Sequence, residues 1–199
     1  MTDSKIYERN SGGIGEVYLS SKLLADRIIF LTGEINHDLA NDVLMKMLYL
    51  RKQDAKKPIA VVVNSNGGLV EAGLMIYDII RESKTPVFTY CCGCAYSMAA
   101  VIFAAGHKRF ILPNSKVMCH EPLISAGVGG SSSTMKSISD GLIETKRKMD
   151  LILAELTGKQ EDEIAKATSS YDHYFTAEEA VEFGLCDKII TINEMLEVA

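Results

Sequence analysis

A serine, a histidine and an aspartate fall in this chain where each could take part in acyl transfer. Ser97 lies in Gly93-Cys94-Ala95-Tyr96-Ser97-Met98-Ala99-Ala100, after the β-rich apolar run Val87-Phe88-Thr89-Tyr90 and at the opening of a helix of small residues. A helix start offers unpaired N–H groups and the positive end of a dipole, which favour both a nucleophilic oxygen and the oxyanion it creates. Taken alone, a serine there is more often a cap or a packing residue. Upstream, the apolar run Val61-Val62-Val63 leads through Asn64-Ser65-Asn66 into Gly67-Gly68, with a helix expected from about Val70. Paired glycines let backbone N–H groups face a ligand with no Cβ in the way, so this pair could form half of an oxyanion hole and the N–H of Met98 the other half. A plain β-turn before a helix is the other reading. Downstream, Val117-Met118-Cys119-His120-Glu121-Pro122 reads as a short strand ending in a histidine, with a proline that stops the pairing. A general base held at a strand's end is rigid yet reachable.

The base needs an acid to orient it. Asp172 has the best context, in a short segment before a helix that begins after Thr176, an N-cap with Glu179 at capping-box spacing. Asp140 and Asp150 fall on a polar helix face, and Asp187 follows the turn Gly184-Leu185-Cys186. The resulting order, Ser then His then Asp, differs from those of chymotrypsin, subtilisin and the α/β-hydrolases, and the serine lacks the G-x-S-x-G setting.

The elements that must position these groups follow a βα alternation. Strands are expected at Arg27–Thr32, Ile59–Val63, Val87–Tyr90 and Lys108–Leu112, and a helix at Asp38–Gln53 with Val43, Leu44, Met47, Leu48 and Leu50 on its apolar face. Such alternation predicts an α/β fold of parallel strands with helical crossovers. The Gly- and Ser-rich piece Ser125–Ser133 reads as a flexible loop. A long helix, about Thr134 to Leu156, should follow. On it Met135, Ile138, Leu142, Met149, Ile152 and Leu156 make a heptad-like stripe that packs either on its own domain or on another subunit.

With 199 residues and 47% hydrophobic composition the chain can bury one sizeable core. A net charge of −5 with dispersed Lys and Arg argues against nucleic acid as a partner, and the apolar runs are too short to span a membrane. The start Met1-Thr2-Asp3-Ser4-Lys5 has no signal-peptide core, so the five cysteines are expected as reduced thiols in a cytoplasmic protein. Cys91, Cys92 and Cys94 are too bunched for a zinc site and no second pair matches them, so no metal is expected.

From about Leu23 to Ile190 the sequence resembles the proteolytic subunits of the Clp protease, the ClpP family. The likeness rests on Leu24-Ala25-Asp26-Arg27-Ile28-Ile29-Phe30-Leu31-Thr32-Gly33, on Asn64-Ser65-Asn66-Gly67-Gly68, on the serine segment, on Leu112 to Leu123 around the histidine, and on Thr176 to Leu185. The resemblance implies a ClpP/crotonase-like fold of repeated β-β-α and βα units in a single domain, 1–199, with a head of about 14–122 and 172–193 and a handle of about 123–171. It implies Ser97 as nucleophile, His120 as general base and acid, Asp172 as its orienter, and the N–H groups of Gly68 and Met98 at the oxyanion. Gly67, Gly68, Pro122 and Leu123 would flank the substrate strand. The activity implied is ATP-dependent endopeptidase cleavage of unfolded polypeptides in a chamber built from heptameric rings stacked in pairs. No cofactor is implied, because ATP is used by a partner, an AAA+ Clp unfoldase; the chain itself has no G-x-x-x-x-G-K-[ST] loop. In the family, the region matching the long helix joins ring to ring.

Several residues depart from the family pattern. Asn66 stands for the usual proline, Cys94 and Tyr96 for Gln and Ala, Glu121 for Gln, and Tyr171 for the arginine before the aspartate. Ala60 and Val62 replace tyrosines of the ATPase-docking pocket. These changes imply a divergent paralogue working beside a second ClpP-type subunit. They also keep open a catalytically silent ring subunit, while an acyl-CoA enzyme of the related crotonase fold would not need the Ser–His–Asp set.

Overall fold

The computed structural model describes residues 4–10, 13–124, 127–169 and 171–198. An antiparallel hairpin, β1 (Lys5–Asn10) and β2 (Gly13–Tyr18), leads into α1 (Leu19–Ala25). The alternating core is β3 (Ile28–Ile35), α2 (His37–Gln53), β4 (Ile59–Gly68), α3 (Val70–Arg81), β5 (Val87–Tyr96), α4 (Met98–Ala104) and β6 (Lys108–Ile111). Then come β7 (Lys116–Cys119), α5 (Ser132–Thr157), α6 (Glu161–Thr168), β8 (His173–Phe175), α7 (Ala177–Phe183), β9 (Lys188–Ile189) and α8 (Ile192–Val198).

The sheet runs β3-β4-β5-β6-β9 with every pair parallel, as helical crossovers require. Both faces are covered, which explains the unbroken apolar run of β4. Val61 and Val63 join the main core with α2, α3 and α4, whereas Ala60 and Val62 face a second cluster with Tyr90, Ile190 and Met195 of α8.

β5 is longer than the four residues its β-rich run predicts, and its extra length builds the site. Phe88 to Cys91 pair with β6, but Cys94 to Tyr96 pair with β7. The strand changes partner around Gly93, which has φ 111° and whose N–H donates to Ser115 Oγ at 2.8 Å. A Cβ there would stand 2.7 Å from Asn64 Oδ1, so only glycine fits this fork. β7 in turn pairs antiparallel with β8. The fork therefore carries the end of β5 into a branch of the same sheet formed with β7 and β8.

Local signals set the helix ends. Asn36 Oδ1 accepts from Leu39 N–H at 2.9 Å at the start of α2. Thr176 and Glu179 form the expected capping box on α7. The long helix starts at Ser132, two residues earlier than its apolar stripe suggests, because Ser131 caps it. Of the preceding Gly/Ser-rich loop, residues 125 and 126 lie outside the described residues. The stripe splits along the helix: Met149 is buried together with Leu153, which lies off the stripe, while Met135 is exposed. Gly158, left-handed at φ 72°, turns the chain into α6, which the sequence reading missed.

Candidate active site

Ser97 is the single residue between β5 and α4, and its backbone sits at φ 54°, ψ −124°. Positive φ in a non-glycine residue costs on the order of 1–3 kcal/mol and marks sites where position outweighs stability. The turn is held because Ser97 N–H donates to Met118 O at 2.8 Å, tying it to β7. That bond occupies the N–H of Ser97 and leaves Met98, the first residue of α4, with no partner within its own helix. Gly67 abuts the same turn. A Cβ on Gly67 would stand 2.7 Å from Tyr96 O, 2.8 Å from Ser97 Cβ and 3.2 Å from Met98 N. Gly68 is pressed on β3, where a Cβ would meet Ile35 O at 2.2 Å. The paired glycines thus end a strand that runs to Gly68, where the sequence also allowed a β-turn, and they let β4 close on both the serine turn and β3.

His120 follows β7 directly and is mostly covered. Its Nε2 lies 2.7 Å from Ser97 Oγ, so with the proton on Nδ1 the serine hydroxyl donates to Nε2. Asp172, just before β8, places Oδ1 3.7 Å from His120 Nδ1 and has a side chain 51% exposed. That distance is an electrostatic contact, longer than a hydrogen bond. Two ties fix the segments on either side: Glu121 N–H donates to Thr168 O at 2.9 Å, and Cys119 pairs with His173. The other aspartates considered are engaged elsewhere. Asp187 accepts from the N–H and guanidinium of Arg109, Asp150 binds Lys146 and Thr168, and Asp140 binds Lys136.

Two departures from the family pattern meet in space. Cys94 Sγ is 3.4 Å from Asn64 Oδ1 and 3.5 Å from Asn66 Oδ1. A side-chain contact thus braces the strand before Gly67, where proline would have fixed the backbone. The thiols are poor rivals to Ser97 as nucleophiles. Burial pushes Cys92 up to about 11 and Cys119 and Cys186 up to about 12, and it raises Cys91 and Cys94 as well.

A cleft of about 1110 Å³ opens in front of Ser97 and His120. One wall is the β4 end, Asn66 to Leu69; Pro122 and Leu123 and, from α5, Leu142 and Lys148 also line it. A smaller apolar pocket beside Ser97 is lined by Val70, Met98, Val101, Met149 and Leu153. The contribution of α5 to this pocket was missed from sequence, although Met149 lay in the stripe.

The α/β sheet thus brings a strained serine and a histidine to one cleft, with Asp172 near the far ring nitrogen of the histidine. Residues 12–193 match the family model described as Clp protease, and the chain belongs to that family. Among the described residues no helix is long and apolar enough to cross a membrane.

Gly67→Ala is expected to lower peptide turnover about 10²-fold with the fold retained, because its Cβ must displace the serine turn by part of an ångström. Steady-state rates of the purified variant, with circular dichroism as the folding control, check this.

Proposed function

We propose that the chain is a serine endopeptidase that cleaves unfolded polypeptides within a ring-shaped chamber fed by an ATP-dependent Clp unfoldase. The observation that carries this is the 2.7 Å contact between Ser97 Oγ and His120 Nε2, with Asp172 on the Nδ1 side of the same ring. His120 takes the proton of Ser97 as Oγ attacks the peptide carbonyl, and the N–H groups of Met98 and Gly68 receive the oxyanion. His120 then protonates the leaving amine, and water repeats the steps on the acyl-enzyme. The substrate lies extended between Gly67–Gly68 and Pro122–Leu123, with an apolar side chain in the pocket beside Ser97. This chemistry calls for no metal or organic cofactor in the chain. Ring assembly is supported by the exposed apolar side chains Met45, Leu48 and Tyr49 on α2 and Met135 and Ile143 on α5, which a neighbouring subunit would cover.

A second reading, a ring subunit of low intrinsic activity working with a second ClpP-type subunit, is favoured by the 3.7 Å gap at Asp172 and by Tyr171, which is exposed where the family has its arginine. Fluorophosphonate labelling separates the two. One adduct at Ser97, read by intact mass and peptide mapping, is expected for the isolated protein, and the same protein should cut peptides after apolar residues. Labelling that occurs only when a second subunit is added would instead establish the low-activity reading.

A further inference from the structure

Tyr96, Met118 and Tyr174 stand in one row across three strands, since Tyr96 pairs with Met118 on β7 and Met118 pairs with Tyr174 on β8. Strands two apart in a sheet are about 9.6 Å apart. The rings of Tyr96 and Tyr174 nevertheless meet edge to face, with centroids 5.5 Å apart and planes at 87°. Both rings therefore lean inward across the buried Met118. Cys119 and His173 are the last pair of β7 and β8, so His120 and Asp172 lie next to each other at the open end of that pair, and Ser97 follows Tyr96 directly. The aromatic row therefore stands immediately beside the three proposed catalytic residues, each one or two positions away along its own strand.

We propose that Tyr96 and Tyr174 are positioning residues, an aromatic clasp that ties the Asp172 strand to the serine turn and keeps Asp172 beside His120. This inference rests on the triad reading above. β8 has only three residues and, among the described residues, pairs with β7 alone. A slip of one residue in so short an edge strand would turn Asp172 to the other face. Phe175, buried against Phe183, anchors the opposite face of β8. On its other face β8 has only the half-exposed Tyr174, whose ring contact with Tyr96 adds a second tie, this one to the serine turn. Tyr96 adjoins Ser97, so one contact bridges the nucleophile and the acid.

The test is a set of Tyr174 variants assayed on a short fluorogenic peptide. Tyr174 is solvent-facing, so its replacement should leave the fold intact, with thermal melts as the check. Tyr174→Ala is expected to lower kcat about three- to tenfold at unchanged KM, the range an aromatic pair's strength corresponds to. Tyr174→Phe, which keeps the ring, should restore the parent rate. In an Asp172→Asn background the same Tyr174→Ala change should alter kcat by less than about twofold, because the group it positions is already gone. Equal rates for Tyr174→Ala and the parent would overturn the proposal, as would an equal loss in both backgrounds. A Ser97→Ala variant that still turned over peptide would instead overturn the triad reading, so the two failures are distinct.

Discussion

Ser97→Ala is expected to lower kcat/KM for a short peptide by about 10⁵–10⁶-fold while leaving the protein folded. The expectation follows from geometry: Ser97 Oγ is the oxygen held 2.7 Å from His120 Nε2, at a turn whose backbone is spent on placing it. Removing it deletes the nucleophile but spares the donors at the start of α4, so a residual rate of about 10³-fold over water is consistent with the assignment. Alanine keeps the strained φ of 54° and should melt near the parent, whereas Ser97→Gly should relieve the strain and melt higher by the equivalent of about 1 kcal/mol. Turnover and melting curves on the same preparations check both. A pure Ser97→Ala protein within tenfold of the parent would require another nucleophile. Cys94, which lines the same cleft, is poorly suited because burial raises its thiol above the usual range and its Sγ is engaged by Asn64 and Asn66.

The parallel core was legible because its signal is local. The apolar run Ile59–Val63 and the capping pair Thr176 and Glu179 state their own structure, and β4 and α7 follow. The partner switch of β5 was not legible. Cys92 to Ala95 is small and glycine-containing, which reads as a turn, and only pairing with β7 on one side and with Ser65 of β4 on the other makes it a strand. β8 escaped for a related reason: three residues are too few to show an alternation. At the site, the places of Ser97 and His120 could be read from a strand-to-helix turn and a strand end. The choice of Asp172 over Asp187 rested on context and resemblance; that Arg109 engages Asp187 could not be read, because the two are far apart in the sequence. The meeting of Cys94 with Asn66 could not be read, because the two are 28 residues apart and their contact depends on the register of β4 against β5.

Asp172→Asn is expected to lower kcat by at least about 10²-fold, with a parallel slowing of fluorophosphonate labelling. In a buried triad the same change costs about 10⁴, because the amide favours the wrong tautomer and cannot stabilise the imidazolium. Here Asp172 is half exposed and its carboxylate stands 3.7 Å from Nδ1, so water shares the stabilisation and the intrinsic loss should be smaller than in a closed triad. The size of the loss therefore reports the working distance between the two groups. A loss near 10² fits the open geometry of the single chain. A loss near 10⁴ in the assembled protein means that assembly draws β8 in and closes the gap, the outcome that best suits an edge strand that pairs, among the described residues, with one neighbour. A loss under tenfold in an active protein would remove Asp172 from the mechanism. Asp187→Asn would not replace it, because that carboxylate is committed to Arg109 and its loss should appear in melting temperature rather than in turnover.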